Sequence, residues 1–530
     1  MPDWLEKAVF YEIYPQTFFD SDGDGIGDLP GILQKLEYLT YLGVNAVWLN
    51  PCFASPFQDA GYDVSDFYQV APRYGTNDDL RRLFDEARRL GIRIFLDLVA
   101  GHTSTECAWF KESCKSERNP YSDWYIWTDS VWKWSAPGVQ MVVGYAERDG
   151  NFVTNFFHFQ PALNYGFANP DPENPWQQPV DAPGPQAVRQ ELKNIMKFWL
   201  DLGASGFRVD MAGSLVKNDP GNLETARLWR EMRVWLDNEY PDAAMVSEWS
   251  NPTLAIPAGF HMDFLLPFAS RGYQALFQKP QSREQACFFD TSGRGDICTF
   301  LDEYLPLYQA TRGQGFIVIP SGNHDTTPRL GNGRTSRDLE LIYLFLMTMP
   351  GVPFIHYGDE IGMRSLDGLP SKEGGYGRTG ARTPLQWNAS SNAGFSTASA
   401  DRLYLPVDND PDRPTVSAQR ADGASLLNCV RRLIALRQAH PALYASSSFE
   451  PVAAEAGGLP FVYKRQSGEE SLLVAINPSG QPRGLRLPGS LSGQLPETLY
   501  GEDDVFRNDG SEWILQMPGV SGGVYRVREK

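Results

Sequence analysis

Residues 206–210 read Gly206-Phe207-Arg208-Val209-Asp210. Apolar and charged side chains alternate, as in a strand with two unlike faces. Positions two apart share a face, so Arg208 and Asp210 lie together. A guanidinium at that range favours the charged form of a carboxylate. A held, ionised Asp is half of a structural ion pair or a nucleophile. These five residues alone favour the ion pair, because buried charges are usually paired. Distant stretches of the chain decide between the two.

On either side of this stretch, strand and helix patterns take turns. Residues 9–14, 46–49 and 92–99 read as strands, and 32–42 and 80–90 as amphipathic helices, the second closed by Gly91. Further strands are expected at 206–211, 243–248, 262–267, 316–320 and 353–357, with helical patterns at 187–202, 222–238 and 334–348. Eight strands separated by helices predict an α/β fold, a closed parallel (β/α)8 TIM barrel. Its chemistry would sit in the loops at the carboxyl ends of the strands. The stretch 101–185 is too long for a loop and reads as an inserted B subdomain. A second polar, Gly- and Pro-rich insertion covers 362–420, and 426–438 reads as the last helix. Beyond His440-Pro441 come short alternating runs broken by Gly and Pro, an all-β C-terminal domain of sandwich type. The expected division is a barrel of 1–100 and 186–444, an insertion of 101–185, and a C-terminal domain of 445–530.

With 42% apolar and 21% charged residues, the composition is that of an ordinary soluble globular protein. A net charge of −18 argues against nucleic acid, anionic membranes and acidic substrates as partners. The 14 Trp, 23 Tyr and 30 Phe offer faces for sugar rings, and equally for a large core. None of the six cysteines has Cys-x-x-Cys spacing, so they read as buried thiols. The spacing leaves open a Cys107–Cys114 or a Cys287–Cys298 bridge. The first residues lack a basic region followed by an apolar run, and no apolar stretch approaches the roughly 18 residues of a membrane helix. A cytoplasmic protein is expected.

Four stretches fall at or just past strand ends. Asp97 lies in the third strand, with His102 in Gly101-His102-Thr103 after it. Arg208 and Asp210 close the fourth. Glu248, in Ser247-Glu248-Trp249, ends the fifth, and Asn323-His324-Asp325 follows the seventh. A barrel gathers these ends at one mouth. Three carboxylates there, with an Arg and two His, are costly without a purpose. Glycoside hydrolysis needs two carboxyl groups in unlike states, one ionised and one protonated.

In this order and at these strands, the motifs resemble those of the α-amylase family, glycoside hydrolase family 13, and the likeness spans nearly the whole chain. The resemblance implies roles. Asp210 would be the nucleophile, held ionised by Arg208. Glu248 would be the general acid and later base, desolvated by Trp249. Asp325 would bind ring hydroxyls and favour the distorted sugar. His102 and His324 would donate to sugar hydroxyls. Retention of configuration would need the Asp210 and Glu248 carboxyls roughly 5–5.5 Å apart. The other histidines, His158, His261, His356 and His440, read as satisfied core residues.

The N-terminal half narrows the resemblance. Residues 20–28 read Asp20-Ser21-Asp22-Gly23-Asp24-Gly25-Ile26-Gly27-Asp28, with carboxylates at alternate positions. That suits a hard cation with oxygen ligands, though a solvated acidic turn stays open. Gly31 at the twelfth position excludes an EF-hand. The spacing resembles the calcium loop of oligo-1,6-glucosidase-like members. That implies a structural Ca²⁺ on Asp20, Asp22, Asp24, Asp28 and the Ile26 carbonyl, and no organic cofactor. Asp59-Ala60-Gly61-Tyr62-Asp63 resembles the same group's Asp-Asn-Gly-Tyr-Asp, so Asp59 would bind the non-reducing-end sugar and Tyr62 would stack on it. Arg382-Thr383-Pro384-Leu385-Gln386-Trp387 resembles its Arg-x-Pro-Met-Gln-Trp stretch.

Three positions depart from the pattern. Gly101 replaces an Asn that helps bind the calcium of secreted amylases, which implies that this particular site is absent. Gln160-Pro161-Ala162-Leu163-Asn164 lacks the Asp of Gln-Pro-Asp-Leu-Asn. Met211 stands where Val goes with α-1,6 cleavage and small residues with α-1,4, so linkage stays open. The expected activity is that of a retaining α-glycosidase hydrolysing short malto- or isomalto-oligosaccharides, branched or cyclic ones included, through a glycosyl-Asp intermediate. A transglycosylase or isomerase, trehalose-synthase-like or sucrose-isomerase-like, would use the same residues. A non-catalytic barrel that only binds is the third reading, opposed by the presence of all three carboxylates. The expected partner is an oligosaccharide, and the expected state a monomer or homodimer.

Overall fold

The computed structural model describes residues 1–278, 286–487, 495–509 and 512–527. The parts of the expected C-terminal domain at 488–494, 510–511 and 528–530 lie outside the described residues. Eight strands build the barrel: β1 Phe10–Ile13, β2 Ala46–Leu49, β3 Arg93–Leu98, β4 Gly206–Val209, β5 Ala244–Ser247, β6 Met262–Phe264, β7 Phe316–Val318 and β8 Phe354–His356. They pair in the order β7-β6-β5-β4-β3-β2-β1-β8, all in parallel. A parallel bridge between Pro320 and Phe354 closes the ring.

Outer helices return the chain between strands. Asn77–Arg89 and Ser336–Thr348 start from Thr76 and Thr335, each in a reciprocal capping box with the Asp three residues on. Pro183–Leu202 begins on a Pro in its first turn and stops at Gly203. The single helix expected over 32–42 is two, Leu29–Gln34 and Leu36–Leu42. Asp28 caps the first. The break falls at Lys35, whose ammonium lies 3.8 Å over the Phe19 ring and 4.5 Å over Trp387. Between β6 and β7 the chain forms helices Arg271–Phe277 and Cys298–Thr311. The second contains Pro306, which disrupts the pattern a sequence reading relies on.

Inside the ring, alternate strand residues point inward. The lower layer is apolar and includes Phe10, Phe95, Met262, Phe316 and Phe354. The Phe10 and Phe354 rings stack at 4.2 Å. Phe95 fills the space opposite Gly206. A Cβ at 206 would fall 2.5 Å from the Phe95 Cζ and 2.1 Å from the Ala244 oxygen, so only Gly fits. Two residues further along the same strand faces come Glu12, Trp48, Asp97, Arg208 and His356, all buried. A polar layer therefore rests on an apolar one, at the carboxyl ends of the strands.

The long chain segment between β3 and β4 carries a small core of its own around Ile126, Val153, Ala162 and Phe167. A bridge from His102 to Ala162 ties it to the barrel mouth. The C-terminal region is a sandwich. A five-stranded antiparallel sheet packs on a three-stranded one, through Val462, Leu473, Trp513, Leu515 and Tyr525. Two buried arginines bind the end of helix Ser336–Thr348, one from the barrel's last helix and one, Arg465, from the sandwich, which it ties to the barrel. Arg437 donates to the carbonyls of Met347, Met349 and Gly351, and Arg465 to those of Thr348, Tyr444, Ser447 and Ser448. Carbonyls ending helix Ser336–Thr348 carry partial negative charge, which suits a cation without a carboxylate. Burial lowers the two guanidiniums to about 9 and about 10, still cationic at neutral pH. None of the six cysteines forms a disulfide, so neither bridge left open above is made. Among the described residues no helix is long and apolar enough to cross a membrane.

Glu360, packed between barrel and outer helices, generates a test. Its Oε1 accepts from Tyr11 at 2.9 Å and Tyr38 at 2.5 Å, and its Oε2 has no partner. Burial pushes its carboxyl up to about 7. The folded chain thus keeps a proton that the unfolded chain releases near 4.5. The stabilisation is full below that value and is lost as pH rises through about 7. Glu360→Gln should flatten the fall in unfolding free energy between about pH 5 and about pH 8.5 by up to about 3 kcal/mol. Equal pH dependence in both proteins would contradict this.

Candidate active site

Register sets the first contact. β3 and β4 place Asp97 opposite Arg208. Arg208 Nη1 lies 2.9 Å from both Asp97 Oδ1 and Asp210 Oδ1, and Nη2 lies 2.9 Å from Glu248 Oε2. The second Asp97 oxygen accepts from Trp48 Nε1 at 3.0 Å and the Tyr62 hydroxyl at 2.9 Å. One buried cation thus faces three carboxylates. Burial, and then the charge of Glu248, push the Asp210 carboxyl well above the ordinary range, against the pull of Arg208. The expectation that Arg208 keeps Asp210 ionised is corrected here, because its charge is divided three ways. The Glu248 charge beside it works with burial in this.

Two strained turns aim this pair. Met211 follows Asp210 at φ +44°, a left-handed conformation uncommon outside Gly, and its N–H donates to Glu248 Oε2 at 3.1 Å. Ser250 stands at φ +53° just past Glu248. Buried Asp263 holds that turn. One oxygen accepts from Ser247 Oγ at 2.7 Å and the Trp249 N–H at 3.2 Å, and the other from the Asn251 N–H at 2.8 Å.

Asp325 has the opposite surroundings. Its Oδ1 lies 2.6 Å from Arg378 Nη1 and 2.8 Å from Arg382 Nη2. Burial alone would raise its carboxyl, but His324 and the two guanidiniums hold it well below the usual range. His324 is fixed on both nitrogens, by Glu12 at 2.8 Å and the Tyr62 hydroxyl at 2.9 Å. The Tyr62 ring stacks on it at 5.3 Å. Glu12 is brought to about 2, against its burial, by His356 and His324. Asp59 accepts from Gln160 Nε2 at 2.8 Å, and burial pushes it up to about 7. His102 is lowered to about 4 by burial, so its ring is neutral. Its Nε2 lies 3.1 Å from the Tyr62 carbonyl. A Cβ at Gly101 would lie 2.5 Å from Asn155 Nδ2, so a side chain there would displace Asn155. Lys217 donates there, to Asn155 Oδ1 at 2.9 Å and the Ser214 carbonyl at 2.7 Å.

A cavity of about 630 Å³ opens over this layer, lined by Asp59, Tyr62, His102, Asp210, Glu248, His324 and Asp325. All seven come from the sequence reading, and Arg208 lies beneath them. Arg378, Arg382, Met211, Trp249, Phe156 and Phe268 also line it, with Gly213 and Ser214. Of the acidic loop, Asp20, Asp22 and Asp28 bring carboxylate oxygens within 4.8 Å of one another. Asp24 is not in that group and accepts the Ile26 N–H at 2.8 Å. His261 and His356 are buried, His440 is half-buried against Glu470 at 2.7 Å, and His158 is exposed, contrary to its core reading. Sequence reasoning missed Arg378, Asp263 and Glu12. For Glu12 a signal existed, a lone charge on the inward face of an apolar strand.

The family model described as "Alpha amylase, catalytic domain" matches residues 12–446. Trehalose synthase/amylase TreS of Mycobacterium tuberculosis is 31% identical, over 98% of this chain and 89% of its own. Oligo-1,6-glucosidase of Parageobacillus thermoglucosidasius is 30% identical, over 99% of both chains. A crystal structure of an isomaltulose synthase variant from Erwinia rhapontici NX5, in complex with D-glucose, matches all of both chains with a TM-score of 0.80 at 25% identity.

Asp263→Asn turns one acceptor into a donor facing a buried donor. Chemical unfolding should show a loss of about 2 kcal/mol, and Asp263→Ala a larger one. Stability equal to the parent in both variants would mean that Asp263 does not hold the Glu248 turn.

Proposed function

The chain belongs to the α-amylase family, and from that premise we propose that it is a retaining α-glycosidase acting on short malto- or isomalto-oligosaccharides. The observation that carries this is the pair Asp210 and Glu248, held on the two ends of one guanidinium. Carboxyls that close suit direct attack on the sugar; an inverting enzyme leaves a wider gap for water. The chemistry needs one ionised group and one acid, and two carboxyls on one guanidinium offer both. In the first step an Asp210 oxygen attacks the anomeric carbon while Glu248 gives its proton to the departing glycosidic oxygen. In the second, Glu248 takes a proton from water, the water oxygen attacks the same carbon, and Asp210 is released. Asp325, firmly ionised, accepts from ring hydroxyls, and Asp59 does so at the pocket's far end. Tyr62, His102 and His324 shape the sugar's seat, and Arg208 holds both reacting carboxyls.

A second reading, transfer to a sugar acceptor, is favoured by the cavity rim. Phe156 and Phe268 line it while largely exposed, and aromatic faces of that kind suit a second ring. Relatives named as trehalose synthases point the same way. Incubation with maltose separates the two, since hydrolysis yields glucose alone and transfer yields new disaccharides. In either case Asp210→Asn should lower turnover roughly ten-thousand-fold with melting unchanged. Undiminished turnover in that variant would sink the assignment.

We also propose that Asp20, Asp22 and Asp28, with the Ile26 carbonyl, hold a Ca²⁺ ion. Hard oxygen donors are what that ion takes. Asp20 also accepts from Ser396 Oγ at 2.5 Å, so the ion would fasten the loop to the second insertion. Adding Ca²⁺ should raise the melting temperature by about 2–4 °C, and chelation or Asp22→Ala should abolish the rise. No shift with Ca²⁺ would count against the site.

A further inference from the structure

Two segments from distant parts of the chain bring Asp59 and Arg378 to the cavity wall. One is the 55–63 turn, which carries Asp59. The other is the 372–379 turn, which carries Arg378. Asp63 fixes the first, accepting from Ser55, Gln58 and Asp59. The second lies directly on the first. A Cβ at Gly374 would fall 2.9 Å from Asp59 Oδ1 and 2.9 Å from the Gln58 carbonyl oxygen. Arg378 donates to the Gly374 carbonyl at 2.8 Å with one nitrogen and to Asp325 with the other.

Both segments are strained. Phe57, Ala60, Glu373 and Tyr376 are non-Gly residues with φ of +61°, +50°, +44° and +45°. Such conformations cost energy and persist only where the surroundings over-determine them. One ion pair does this on the outer side of the wall. Arg73 Nη1 and Nη2 lie 2.7 and 3.0 Å from the two Glu373 oxygens. The Arg73 guanidinium lies 3.2 Å from the centre of the Phe57 ring, and the Tyr404 hydroxyl donates to Glu373 at 2.9 Å. The pair therefore grips both segments at once, Phe57 two residues before Asp59 and Glu373 five before Arg378. The two side chains are only 16% and 15% exposed, so the fork is partly desolvated and bidentate, the strong form of such a pair. Neither residue lines the cavity.

We infer that Arg73 and Glu373 are a positioning pair, a latch that seats the 372–379 turn as a wall of the sugar pocket. Through that turn it keeps Arg378 on Asp325 and the pocket shut behind a terminal glucosyl unit. The inference rests on the activity proposed above. Its chemistry needs the wall for orientation, not for bond breaking. Loosening it should cost affinity before turnover.

Glu373→Gln keeps the shape and loses the charge, and Arg73→Lys keeps the charge and loses the fork. In each, hydrogen exchange at 372–379 should quicken while the barrel strands stay protected. KM for maltose should rise about tenfold with kcat within about threefold of the parent. Combined with Arg378→Lys, the Glu373→Gln effect on KM should be less than additive, since both act through Asp325. Unchanged exchange, an unaltered KM, or full additivity with Arg378→Lys would overturn the latch. If the parent protein opens no α-glucoside, the proposed activity fails, and the exchange measurement alone decides the latch.

Discussion

The structure depends on one buried guanidinium. Arg208 is 1% exposed and touches three carboxylates. Removing such charges from water is expensive, and only close pairing with further hydrogen bonds offsets the cost. The barrel supplies both. Parallel register puts Asp97 beside Arg208 without a loop, and Trp48 and Tyr62 satisfy the oxygen of Asp97 that Arg208 leaves free. The apolar layer below explains why the charges sit where they do. Phe10, Phe95 and Phe354 fill the lower ring, so the next inward positions are the first that open toward solvent.

From Arg208 a continuous network runs to the opposite wall. Asp97 meets Tyr62, Tyr62 meets His324, and His324 meets Glu12, which also pairs with His356 at 3.1 Å. These residues come from β1, β3, the loop after β2, the loop after β7, and β8. The network therefore spans the pairing gap between β7 and β8, which the backbone closes with little more than the Pro320–Phe354 bridge. Side-chain hydrogen bonds complete the ring that strand pairing leaves thin, and buried networks of this kind fix a single arrangement.

Most of the barrel was legible because its signal is local. Alternation marked the strands, and Gly91, left-handed at φ +76°, marked a helix end. The catalytic candidates were legible because they fall at strand ends in a fixed order. What failed depends on distant contacts. The break at Lys35 follows from rings at 19 and 387. Arg378 lies in a stretch with no periodicity and acquires meaning only when Asp325 and Asp59 arrive beside it. The protonation of Asp210 was misread for the same reason. Residues 206–210 show one cation and one anion, while folding brings two more carboxylates to the same guanidinium.

Asp210 and Asp325 make the physical point most sharply. Both are aspartates on the same cavity, and both are paired with arginine. Asp210 shares a single cation with two other carboxylates, so burial wins and its carboxyl is pushed up. Asp325 has two guanidiniums with little competition, so pairing wins and it stays ionised. Three carboxylates on one cation, against one carboxylate on two, go with the raised group and the lowered one. A segment that brings a cation to this rim therefore decides which of its groups stay charged to hold the sugar. In that sense the turn carrying Arg378 belongs to the site as fully as the strand carrying Arg208.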